Sequence, residues 1–244
     1  MIDWPEKEHY TAEDLVQIIR ILRDPQEGCP WDKVQTHRSI RKNFLEETCE
    51  ALEAIDADDP QMLREELGDV LMQVAFHAVL EEEQGRSTFS DICREVCEKL
   101  VFRHPHLFAS SAAQNAGING WDALKNKEKG RRTLADELDT VPATLPALMR
   151  AQKLQKRAAG HKVGPAGETE ALAALRRAEE DWAAAAQAED VPSDQAARAA
   201  GALLFAAVDS IRLAGLDAEE ALTFASKAFC RTLEGGQDAA RPEH

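Results

Sequence analysis

Aromatic side chains are scarce in this chain, at 5% of 244 residues with a single tyrosine. No long alternation of apolar and polar residues marks a strand. Alanine-rich amphipathic stretches dominate instead, and the fold class they imply is all-α. Positive charge is also in short supply. A net charge of −15 argues against a broad basic surface for nucleic acid, though a small anionic ligand stays admissible if a metal and a few local cations receive it. The five cysteines, Cys29, Cys49, Cys93, Cys97 and Cys230, are odd in number and form no disulfide-like framework. They read as reduced thiols, which fits a cytoplasmic protein. The first residues, Met1-Ile2-Asp3-Trp4-Pro5, contain no apolar h-region, and no apolar run approaches about 18 residues. Neither a signal peptide nor a membrane span is expected.

Several chemistries are excluded by missing motifs. There is no Gly-x₄-Gly-Lys-Ser/Thr phosphate loop and no His-Asp dyad. Arg64-Glu65-Glu66-Leu67-Gly68 glances at a Nudix box but lacks its upstream glycine and glutamate. Cys93 and Cys97 followed by His104 and His106 have the wrong histidine spacing for a zinc module. A di-iron carboxylate bundle needs Glu-x-x-His on its core helices, and here that pattern occurs at Glu6 and His9, outside the acidic region.

Two acidic stretches stand out against this background. One reads Glu46-Glu47-Thr48-Cys49-Glu50, the other Glu65-Glu66-Leu67-Gly68-Asp69. Each sets three carboxylates at i, i+1 and i+4, an arc of roughly 100° on a helix. Between them Ala57-Asp58-Asp59-Pro60 is a turn cluster whose proline ends one helix and opens the next. The product is an antiparallel hairpin. Counted outward from the turn, the acids fall within roughly 9 Å along the hairpin axis, and packed helices stand about 8–10 Å apart. At an effective dielectric of about 20, unit charges about 6 Å apart repel by roughly 3 kcal/mol per pair. Such a cluster either splays into water or holds cations, and oxygen-only ligands suit Mg²⁺, Mn²⁺ or Ca²⁺.

Periodicity alone leaves both outcomes open. Phe44, Leu45, Leu52 and Ile55 fall opposite the first acids, and Leu63, Leu67, Val70, Leu71 and Val74 opposite the second. An amphipathic hairpin with a solvated acidic face has the same pattern.

A weak internal repeat bears on the choice. Leu67-Gly68-Asp69-Val70-Leu71-Met72-Gln73-Val74-Ala75 aligns with Ala200-Gly201-Ala202-Leu203-Leu204-Phe205-Ala206-Ala207-Val208. A second turn, Glu189-Asp190-Val191-Pro192, precedes the later copy. At the positions of Glu46, Glu47 and Glu50 that copy has Arg177, Ala178 and Asp181; at those of Glu66 and Asp69 it has Ala199 and Ala202. The packing face persists while one set of acids is gone, the pattern of an active copy beside a structural one.

Five motifs in order then resemble the MazG family: Gly28-Cys29-Pro30-Trp31-Asp32-x-x-Gln35-Thr36-His37; the acidic hairpin; Arg103-His104-Pro105-His106-x-Phe108; Trp121-x-x-x-Lys125-x-x-x-Lys129; and Leu145-Pro146-Ala147-Leu148 with Lys153-Leu154-Gln155. The resemblance covers residues 15 to 233. It implies all-α, tandem helical-bundle domains whose four-helix bundle is completed by pairing of hairpins, usually in a homodimer. It implies Mg²⁺-dependent hydrolysis of a nucleoside triphosphate, ribo or deoxyribo, to the monophosphate and pyrophosphate, with Mn²⁺ a possible substitute. Carried over, Glu47, Glu50, Glu66 and Asp69 match the metal ligands, Glu46 or Glu47 supplies a general base, Lys99 and Arg103 match a basic pair, and Trp121 and Lys125 match a base-stacking and phosphate-binding pair. The expected layout is a catalytic domain over residues 1–130, a linker over 131–149, a degenerate second domain over 150–235 and a tail over 236–244. Because the second copy keeps Lys227 and Arg231 but not its acids, the first is expected to hold the only metal site. The alternative is a catalytically inactive helical dimer acting in regulation or interaction.

Overall fold

Thr11 opens the first helix, α1 (Ala12–Leu22), with a capping box in which its hydroxyl accepts from Asp14 N and the Asp14 carboxylate accepts from Thr11 N. The computed structural model describes residues 4, 6–108, 133–188 and 193–238, and all regular structure within them is helical. The chain divides into two units, residues 1–120 and 121–244.

In the first unit α1 buries Val16 and Ile19 in a core shared with Ile40, Ala75, Phe76, Val79 and Leu80. Arg23 follows α1 and is itself buried. Its guanidinium forks onto Glu83 and donates to the carbonyls of Asp32 and Gln35. That one side chain fastens the loop carrying the Gly28–His37 motif, including a 3₁₀ turn at Asp32–Val34. Gly28 is required there, since a Cβ would meet Asp24 O at 2.4 Å and Leu22 O at 2.5 Å.

The hairpin follows as α2 (Arg41–Asp56) and α3 (Pro60–Glu83). Asp58 takes a left-handed φ of 52° between them, a region that short polar side chains tolerate. Asp59 then caps α3, its Oδ1 accepting from Gln61 N at 2.9 Å and Met62 N at 3.1 Å, with Pro60 at the first helical position. Pattern reading sets the large apolar residues as the packing face. The structure buries Ala51 and Ala54 on α2, and on α3 Ala75 and Ala78 together with Phe76, Val79 and Leu80, while Leu63, Val70 and Val74 of the expected face are half-buried. Small residues let the helices approach closely, and several large ones are left outward: Leu45 is 62% exposed, Leu52 57%, Ile55 56% and Leu67 52%. A turn through Gly85 leads to α4 (Phe89–Arg103), opened by a second capping box of Thr88 and Asp91, and then to the short α5 (Pro105–Phe108).

The second unit begins with α6 (Leu134–Leu138) and α7 (Ala147–Gly160). Arg157 of α7 donates to Glu137 O and to the Thr140 hydroxyl, and Val141 is buried beside them. A hairpin of α8 (Glu168–Ala186) and α9 (Asp194–Leu213) follows, and α10 (Ala218–Asp238) ends the described chain. Buried Ala171, Ala178, Ala185 and Ala196 again supply small residues to the hairpin. Gln152 of α7 joins the α9–α10 turn, donating to Leu216 O and accepting from Ala218 N. Among the described residues no single helix is long and apolar enough to cross a membrane.

Candidate metal centre

The α2–α3 hairpin brings one oxygen each of Glu47, Glu66 and Asp69 within 4.8 Å of one another, all three residues half-buried. Glu47 comes from the second turn of α2, the other two from one face of α3 a single turn apart. Glu50 stands one turn beyond Glu47 and is exposed. Glu46 is exposed, and among the described residues no hydrogen bond or ion pair engages it.

Crowding shows in the acidities. Burial pushes the Glu47 carboxyl above its usual range, and the charges of Asp69, Glu50 and Glu66 push it further. Glu66 is raised by burial and by Glu50, Asp69 and Glu65. No cation contributes to either shift. The set therefore consists of hard oxygen donors that no cation among the described residues balances, which fits an oxygen-seeking divalent ion and not a thiolate- or imidazole-seeking metal. Gly68, between Glu66 and Asp69, adds no bulk, and a Cβ there would meet open space.

Other residues singled out by sequence are more scattered. Lys99 and Arg103 sit one turn apart near the end of α4, Lys99 half-buried and Arg103 buried. Lys99 makes no ion pair with Glu95 or Glu98, and Glu98 instead meets Arg94 at 3.5 Å. Trp121 and Lys125 lie outside the described residues. In the second unit Ala178, aligned with Glu47, is 8% exposed and closed off. Among the described residues no further group of three potential ligands assembles.

Sequence reasoning passed over a polar chain behind the hairpin. His37 and His77 face each other with their Nδ1 atoms 2.7 Å apart, so one donates and the other accepts. His37 Nε2 meets Glu81 Oε1 at 2.8 Å, and Glu81 also pairs with Arg86. His37 lies in a quoted motif, but His77 and Glu81 had no signal beyond their i, i+4 spacing on α3. Arg23 was legible in principle: it stands at i+4 from Ile19 and i+7 from Val16, on the buried stripe of α1.

Comparison with known proteins gives a consistent result. The family model for the MazG nucleotide pyrophosphohydrolase domain matches residues 35–108. A nucleoside triphosphate pyrophosphohydrolase of Escherichia coli K12 is 43% identical over 221 residues, covering 89% of this chain and 83% of the relative. The nucleoside triphosphate pyrophosphohydrolase/pyrophosphatase MazG of Thermotoga maritima is 37% identical over 222 residues, covering 89% and 82%. A nucleoside triphosphate pyrophosphohydrolase of Mycobacterium tuberculosis is 38% identical over 150 residues, 60% of this chain and 45% of the relative.

Proposed function

The chain belongs to the MazG nucleotide pyrophosphohydrolase family, and from that premise we propose that its first unit hydrolyses nucleoside triphosphates to the monophosphate and pyrophosphate. The observation that carries this reading is the convergence of Glu47, Glu66 and Asp69 within 4.8 Å, with no cation among the described residues shifting Glu47 or Glu66. Those three, with Glu50 beside them, hold Mg²⁺. A divalent ion held there supplies charge neutralisation to the triphosphate oxygens.

The remaining work belongs to the chain's own side chains. Glu46, next to the ligands and unpaired, is the general base that takes a proton from the attacking water. Water adds its oxygen to one product, the bridge between the α- and β-phosphates breaks, and pyrophosphate leaves. Lys99 and Arg103 bind phosphate oxygens. Trp121 stacks on the base and Lys125 binds phosphate. Residues 1–130 form the catalytic domain, residues 150–235 a second, degenerate copy. The outward Leu45, Leu52, Ile55 and Leu67 make up the face through which two chains pair as a homodimer, completing a four-helix arrangement. Five unpaired thiols suit a reducing compartment, the cytoplasm.

The test is pyrophosphate release from a panel of nucleoside and deoxynucleoside triphosphates, with Mg²⁺ or EDTA. Glu47→Gln and Asp69→Asn are expected to lower kcat by at least ~100-fold, while Asp181→Asn in the second unit leaves it unchanged. Absence of metal-dependent turnover in the unaltered chain would overturn the enzyme reading and leave a binding protein on a helical scaffold.

A further inference from the structure

The second unit contains a cavity of about 530 Å³ between α7, the turn at Val163–Pro165, α8 and α9. Its walls are apolar and mostly small, with Ala171, Ala174, Ala202 and Ala206 set among Leu154 and Phe205. That volume is in the range of small-molecule sites and far above the gaps of ordinary packing.

Two buried polar residues line the cavity. Gln155 is 6% exposed, and its Nε2 donates to Phe205 O at 2.7 Å. This bond fixes the amide orientation, because the flipped form would set one carbonyl against another. Oε1 is left buried with no partner. Asp209, 8% exposed, lies one helical turn beyond Phe205 and commits Oδ1 to Arg212, at 2.8 Å from Nε and 2.6 Å from Nη2. Its Oδ2 takes no hydrogen bond among the described residues. A Cβ on Gly164 would lie 4.0 Å from Oδ2, and the positive φ of 104° keeps a glycine at that rim of the cavity.

We propose that this cavity binds a small apolar amine. A ring or short hydrocarbon body fills the alanine-lined volume, and a terminal ammonium or amino group donates to Asp209 Oδ2. An ammonium has three donors and no acceptor, the complement of the carboxylate oxygen that Arg212 leaves without a hydrogen bond. An anion of the same shape would set its own oxygens against Asp209 Oδ2, an acceptor facing acceptors, and a chain charge of −15 disfavours it further. Gln155 and Asp209 have no part in the triphosphate chemistry assigned to the first unit, so this site is separate from it.

Calorimetric titration of the full chain with benzylamine, benzyl alcohol and benzoate, all sharing one ring, tests the assignment with Mg²⁺ present throughout. Benzylamine is expected to saturate and to bind at least ~10-fold tighter than the alcohol, with benzoate weakest. In the unaltered protein, amide resonances of Gln155, Gly164 and Asp209 should shift on titration. Asp209→Asn is expected to weaken benzylamine about tenfold, and Ala206→Phe, which fills the cavity, to abolish its binding with helix content retained. Absence of saturable benzylamine binding, equal affinity for all three probes, or resonance shifts confined to the first unit would overturn it.

Discussion

Glu47 shares its corner of the hairpin with three other carboxylates, and each raises the work of ionising it. A carboxyl whose folded pKa lies above its unfolded value holds its proton more firmly in the native state. Without metal, stability therefore falls as pH rises through that raised value and recovers below it. Replacing the charge removes the penalty, so Glu47→Gln is expected to raise Tm in EDTA. In Mg²⁺ the order reverses, because the unaltered protein gains about 2.7 kcal/mol when free metal is about a hundredfold above its Kd. Calorimetric melting of both proteins, with and without metal, checks both signs. Glu81 behaves oppositely: its hydrogen bond from Arg86 leads a set of interactions that holds it at about 2, against an ordinary 4.5. Its contribution is present above 4.5 and disappears as pH falls toward about 2, so Glu81→Gln should flatten the acid limb of a stability profile. His77 is lowered from 6.5 by burial and then by His37. The unfolded chain binds that proton more readily, so stability declines as pH drops below 6.5, and His77→Gln should reduce the decline in urea titrations. At this scale the acids were legible because charge at i, i+1 and i+4 needs no tertiary knowledge. The histidine pair was not, since His37 and His77 meet only after α2 and half of α3 have folded back.

Along the helices, packing and chemistry occupy different arcs. The fully buried residues of α2 are alanines, and Ala54 has no exposed surface. Ala54→Leu should force the helices apart and cost about 1–3 kcal/mol in chemical denaturation. Leu52→Ala, on the outward face, should change the stability of a dissociated chain by no more than about 0.5 kcal/mol. Gly28→Ala meets two backbone oxygens and should destabilise by about 1–3 kcal/mol, visible as a lower urea midpoint. Helix existence and the Asp58–Pro60 turn were readable because capping and proline chemistry are local. The choice of seam was not. Hydrophobicity ranks leucine above alanine, and only the closeness of two helices decides that the smaller residue is the one buried.

Across the whole molecule, a chain of −15 charge carries wide outward apolar surface on both units. In the first unit this extends from α2 and α3 onto Val96 and Leu100 of α4, and in the second it includes Phe224 and Phe229 of α10. Single monomers rarely leave such continuous area in water. Sedimentation equilibrium should therefore find a dimer, and Leu45→Glu with Leu52→Glu should shift it toward monomer by at least ~10-fold in Kd. The surfaces that stay uncovered were not legible in the sequence, because one-dimensional pattern does not say which face a neighbour takes. The burial of Ala178 carries a historical consequence. Glu47 keeps its carboxylate where solvent reaches, whereas its counterpart position has closed to 8% exposure. A glutamate restored there would bring a charge into packed alanine and lose stability before the other ligands returned to give it a metal. If the second unit is the degenerate copy proposed above, its loss of acids would act as a ratchet, since the first step back costs stability before it brings a metal.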